Sequence, residues 1–173
     1  MPILIDGYNL LNVAGILPGG RGPGTLEKAR QALLNVLVES LPAEEVVRTT
    51  VVFDASDSPW GVEKQNVHRG ITVRFAAKDA DADTLIEELI KADSAPKRLT
   101  VVSSDHRIQR AAKRRRATPV DSDIWFASLL RERAARTNVG ADLTGKTPDV
   151  PKPQGPFAPG EVAYWMRMFE LDD

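Results

Sequence analysis

The chain has 173 residues, 42% hydrophobic and 27% charged, with a formal net charge of −1, which suits one domain with its own core and a short appendage and excludes a polycation. It contains no cysteine, which removes disulfides, thiolate metal sites and cysteine nucleophiles together. No apolar run is long enough to cross a bilayer, and no basic segment precedes a long apolar stretch at the N-terminus, so a cytoplasmic protein with no membrane partner is expected.

Ile3-Leu4-Ile5 reads as a short buried strand that ends on Asp6, with Gly7, Tyr8 and Asn9 as the turn signal behind it. Residues 15–24, rich in glycine and proline, form a loop, and Thr25 is placed to cap the next helix. Leu26, Ala29, Leu33, Leu34, Leu37, Val38 and Leu41 recur at helical spacing until Pro42 closes the segment. Thr49–Phe53 is a β-branched strand that delivers Asp54, residues 56–70 read as irregular, and Ile71–Phe75 is a further strand.

Ala82, Leu85, Ile86, Leu89 and Ile90 make the apolar stripe of a second helix, which opens with Asp81 and Asp83. Its Thr84 and Glu87 match a capping box. Leu99–Val102 is a strand delivering Ser103, Ser104 and Asp105, and a basic helix runs from His106 to about Arg115. Ala117–Val120 leads to Asp121 and Asp123, and Ile124, Phe126, Ala127, Leu130 and Ala134 suit a fourth helix. The periodic pattern stops at Thr137; five prolines then make an extended segment before Val162, Trp165, Met166 and Phe169 suggest a last amphipathic helix. Strands alternating with helices imply an α/β domain with a central, mostly parallel sheet.

Asp6, Asp54, Asp105 and Asp121 each follow an apolar strand. In a parallel sheet such positions share the edge where ligands bind. Carboxylates gathered there repel one another, and a divalent cation resolves the conflict; Mg2+ or Mn2+ prefers oxygen ligands. Asp83 and Glu87, four apart, share a helix face and add to the set. Each of these acids alone has a plain structural reading as a cap or first-turn residue; together they read as a metal centre. Asn9 is a turn residue or cap, or a group that holds Asp6 or a phosphate. The basic run Arg107, Arg110, Lys113, Arg114, Arg115 and Arg116 suits contacts to a polyanion backbone.

The stretches LIDGYNLL, VVFDAS, DADTLIEEL and VVSSDHRIQRAAKRR, in that order, resemble the YacP-like branch of the NYN-domain nucleases, within the PIN-like superfamily. The resemblance implies a three-layer α/β/α PIN-like domain over residues 1–136; the residues themselves, outside any family motif, suggest a linker over 137–160 and a C-terminal helix over 161–173 packed on the domain, because an exposed aromatic patch is costly. The resemblance also implies a metal-dependent endoribonuclease with Asp6, Asn9, Asp83 and Asp105 as catalytic residues. Asp6, Asp83, Asp105 and Asp123 would bind Mg2+ or Mn2+, with Asp54, Glu87 and Asp121 as further candidates. RNA, messenger RNA first, is the implied partner, with the ribosome as a candidate. The rival expectation is a non-catalytic RNA- or ribosome-binding adaptor with a degenerate site.

Three other readings fail on residues. Gly140–Thr147 spells the phosphate-binding loop G-x-x-x-x-G-K-[ST], but a helix precedes it and Pro148 and Pro151 follow, so nucleotide binding is not expected. A haloacid-dehalogenase-type phosphatase needs an acid where Tyr8 stands. A receiver domain needs a lysine ending a late strand, and Lys97 precedes its strand.

Overall fold

The apolar runs of the sequence become the interior of a sheet covered on both faces. The computed structural model describes residues 1–16, 24–54, 65–76 and 81–141. Six strands, β1 (Ile3–Asp6), β2 (Thr49–Phe53), β3 (Gln65–His68), β4 (Ile71–Phe75), β5 (Thr100–Val102) and β6 (Thr118–Val120), lie in the order β3-β4-β2-β1-β5-β6. All neighbours are parallel except β3, which runs antiparallel along the edge of β4.

Alternate side chains of each central strand feed two cores. Ile3, Ile5, Val51, Phe53 and Val102 face one layer, built on α1 (Gly7–Val13), α2 (Thr25–Ser40) and α6 (Ser122–Ala141). Leu4, Val52 and Val101 face the other, built on α4 (Ala82–Ala92) and α5 (His106–Arg114). A short α3 (Ala43–Val46) leads into β2. The expected three-layer α/β/α domain with a mostly parallel sheet is therefore the observed one.

The chain steps from β1 outward to β2 and β4 on one side, then returns to place β5 and β6 on the other. The order reverses between β1 and β5, and such a reversal opens a crevice at the carboxyl ends of the strands. Asp6 ends β1, and Ser103, Ser104 and Asp105 follow β5, so these residues flank that crevice.

Several local expectations are corrected. Gly7, Tyr8 and Asn9 are not a turn: they open α1, with Asp6 as its N-cap. Residues 65–68, read as irregular, form β3, an exposed polar edge strand that leaves no apolar alternation to read. Gly24, with a positive φ of 83°, caps α2, and Thr25 is its first helical residue. Asp81 rather than Thr84 caps α4, because Thr84 already lies inside the helix and donates its N–H to Asp81. The last helix continues through Ala141, past Thr137. Gly140 and Ala141 belong to it; the rest of the Gly140–Thr147 stretch, the proline segment and the final amphipathic stretch lie outside the described residues. Among the described residues no helix is long and apolar enough to cross a membrane.

Candidate active site

Gly7 lets the first helix start directly on the sheet. A Cβ there would lie 2.3 Å from the Phe53 ring and 2.7 Å from the Val52 carbonyl, so no other residue fits without displacement. With α1 seated this closely, Asp6 is held from two sides. Its Oδ1 accepts the Asn9 N–H at 3.1 Å, and its Oδ2 accepts the Ser103 hydroxyl at 3.0 Å. Asp6 is 6% exposed. Burial raises its pKa above the ordinary carboxylate value, the two hydrogen bonds oppose the rise, and the charges of Asp83 and Asp105 add to it.

The same crevice collects the other acids by separate local causes. Asp105 caps α5 by accepting the Arg107 N–H at 2.5 Å, while its own N–H donates to Ser103 Oγ at 3.0 Å. Ser103 thus bridges Asp6 and the start of α5. Asp54, just past β2, accepts the Ala82 N–H at 2.6 Å and so draws the start of α4 to the sheet edge. That places Asp83 where burial, then Asp105 and Asp81, raise its pKa; Arg107 opposes and Asp54 adds.

Asp121, just past β6, accepts the Ser104 hydroxyl at 2.5 Å and the Gln109 amide at 3.4 Å. The Ser104 N–H donates to Asn9 Oδ1 at 3.3 Å, which links Asp121 to the first helix through one serine. Glu87 accepts Arg107 Nε at 2.8 Å. Asp123 is exposed in the first turn of α6 and makes no hydrogen bond or ion pair to this group among the described residues.

The structure thus brings Asp6, Asp83 and Asp105 into one another's field, sets Asp54 beside them, and ties Asp121 and Asn9 to the same loop. Glu87 reaches the group through Arg107, and Asp123 stands apart. Gln109 was not singled out by sequence, and Gly7 was read only as a turn residue; Gln109 sits one helical turn beyond Asp105, a spacing that marks it in retrospect. On the basic helix Arg110, Lys113 and Arg114 are exposed, as are Arg115 and Arg116 just past its end, and Arg115 donates to the Asp93 carbonyl at 3.2 Å.

The donor set is all oxygen, and burial, with like charge added, already disfavours ionisation of Asp6 and Asp83, so its chemistry fits a hard divalent cation. Among the described residues no three acidic or histidine side chains form a group that would enclose a metal unaided. Ions of this class keep several waters, which suits an open set of carboxylates.

Comparison with known proteins adds an independent line. A family model described as "YacP-like NYN domain" matches residues 3–149. The crystal structure of Rae1 (YacP) from Bacillus subtilis is similar at 22% identity and a TM-score of 0.60, covering 98% of this chain and 91% of that one. The crystal structure of a tryptophan-to-leucine mutant of the same Bacillus subtilis protein is similar at 22% identity and a TM-score of 0.63, covering 99% of this chain and 98% of that one. None of the curated proteins compared with the chain matches it. At these identities the solved structures bear on the fold alone.

Proposed function

The chain belongs to the YacP-like NYN domain family, and on that premise we propose that it is an endoribonuclease dependent on Mg2+ or Mn2+. Messenger RNA is the first candidate substrate and the ribosome a candidate partner. Family membership supports the coarser statement, a nuclease-like and RNA-related function. The observation that carries the rest is topological. Asp6, Asp54, Asp105 and Asp121 follow four adjacent parallel strands around the switch point, and the Asp54–Ala82 hydrogen bond sets Asp83 beside them.

Asp6, Asp83 and Asp105 would hold the metal, directly or through water, with Asp54, Asp121, Glu87 or Asp123 completing the shell. A bound cation of this kind stabilises charge on a phosphoryl group and makes a water acidic enough to react near neutral pH. The chain's own groups do the rest. Ser103 and the Asn9 N–H orient the Asp6 carboxylate. Asn9 Oδ1 is held by the Ser104 N–H, so the Asn9 amide NH2, which makes no hydrogen bond among the described residues, is free to donate to a phosphate oxygen. The exposed Arg110, Lys113, Arg114 and Arg116 supply sequence-independent attraction for the backbone of the same strand.

A covalently closed RNA circle, incubated with Mg2+ or Mn2+ and separately with chelator, tests this reading. Metal-dependent opening of the circle to linear product is expected. Trimming of linear RNA that spares the circle contradicts internal cutting, and binding without any cleavage favours the adaptor.

A further inference from the structure

Arg107 differs from the rest of the basic helix. Arg110, Lys113, Arg114 and Arg116 face solvent and pair with no acid among the described residues. The Arg107 guanidinium instead turns back over the first two turns of α4. Its Nε donates to Glu87 Oε1 at 2.8 Å and its Nη2 to Thr84 Oγ1 at 3.4 Å. Its Nη1 lies 3.7 Å from Asp81 Oδ2 and 4.0 Å from Asp83 Oδ2. The backbone N–H of the same residue caps onto Asp105. One residue therefore touches both acidic walls of the crevice: Asp105 through its backbone, and Asp81, Asp83 and Glu87 through its side chain.

A guanidinium presents several donors in a rigid fork, which suits several carboxylates at once better than an ammonium does. A phosphate contact through Arg107 would compete with these partners for the same guanidinium. Asp83 and Asp105 carry like charge on facing helix starts; the Arg107 guanidinium lies on the Asp83 side, 4.0 Å from its Oδ2, while the Arg107 backbone N–H holds Asp105. Resting on the metal-centre reading above, we propose that Arg107 is the resident counter-ion of the acidic centre. It positions Asp83 and Glu87 against Asp105 in the metal-free protein and competes with a divalent cation for Asp83.

The competition has a definite sign. A fixed positive charge beside a cation site weakens binding there, and it does so less as salt rises. Arg107→Gln should lower the Mg2+ or Mn2+ concentration that half-saturates thermal stabilisation by about three- to tenfold at low salt. RNA cleavage should fall at the same time, because Asp83 is no longer held in place. Arg107→Lys keeps the charge and should return the half-saturating concentration towards that of the unaltered chain.

The experiment follows the melting temperature of the full chain and its Arg107→Gln, Arg107→Lys, Glu87→Gln and Arg107→Gln/Glu87→Gln variants, first in chelator and then against Mg2+ and Mn2+. In chelator the double variant should lose less than the sum of the two single losses; additive losses overturn the counter-ion role. With metal, a half-saturating concentration unchanged or raised in Arg107→Gln overturns the competition, even if the protein is less stable. A salt slope of single-stranded RNA binding that drops by about 0.7 in the same variant assigns Arg107 to phosphate instead. An unaltered chain whose stability ignores both metals contradicts the metal centre and the competition together, while the chelator cycle still decides the counter-ion role.

Discussion

The Ser103 hydroxyl donates to Asp6 Oδ2 at 3.0 Å and so joins the ends of two neighbouring parallel strands across the switch point of the sheet. Both residues are buried, and the same serine oxygen receives the Asp105 N–H. Ser103→Ala should leave a buried carboxylate oxygen without its donor. The expected cost is about 1–3 kcal/mol by denaturant unfolding, together with a further rise in the Asp6 pKa, measurable by carboxyl NMR titration.

The raised pKa of Asp6 makes its charge a burden on the metal-free fold, and the sign follows from linkage. A carboxyl group that holds its proton more tightly when folded contributes stability as pH falls from above its folded pKa towards the ordinary value of 3.8, and removes it as pH rises. In chelator at neutral pH, Asp6→Asn should therefore gain about 0.5–2 kcal/mol, the usual scale of a stabilising substitution. The gain should fade as pH drops through the raised pKa. Asp81, whose pKa is lowered first by its hydrogen bonds from Thr84, acts with the opposite sign, and subtracting the unaltered chain from the variant removes it. An Asp6→Asn difference that does not depend on pH would contradict the linkage.

Gly7 predicts a packing penalty rather than a conformational one. Gly7→Ala would drive a methyl group into the Phe53 ring and the Val52 carbonyl. The ring can shift a little and the backbone cannot. About 1–3 kcal/mol of destabilisation is expected. Displacement of α1 should also weaken the Asn9–Asp6 hydrogen bond, so the Asp6 pKa should move together with stability.

The acids at the strand ends were legible because each interrupts an apolar run, and alternation of strands with helices placed them on one edge. The helix α1 was not legible, because Gly7 and Asn9 are turn formers by composition. What makes them helical is Asp6, which caps through its side chain while also ending the strand. The edge strand β3 was hidden because its Gln65, Asn66, Val67 and His68 are exposed or half-buried and carry no alternating apolar face. Arg107 read as one cation among six. Only the packing of α4 against α5, through Ile86 and Ile90 on one and Ile108, Ala111 and Ala112 on the other, brings it to Glu87. Such a pairing depends on two helices meeting and leaves no mark in either segment alone.

The exposed cations at the end of α5 and just past it give a prediction that can be separated from the chemistry. If Arg114 and Arg116 meet phosphates, replacing both with Gln should lower the salt slope of single-stranded RNA binding by about 0.7 for each phosphate that is no longer neutralised. The effect should be similar for unrelated RNA sequences, because phosphate contacts carry no base information. Fluorescence anisotropy at several salt concentrations would read both properties.

If the carboxylates around Asp6 form one metal-dependent cutting centre, cleavage must depend on the metal and on each acid that holds it. The decisive quantity is the rate of cleavage of a mixed RNA pool with Mn2+ or Mg2+, for the unaltered chain, Asp6→Asn and Asp83→Asn, each shown to be folded. Chelator should abolish cleavage, and either substitution should lower it by about a hundredfold or more, the scale of losing one electrostatic group from such a centre. Cleavage that persists in chelator, or that survives both substitutions, would contradict a metal centre built on Asp6.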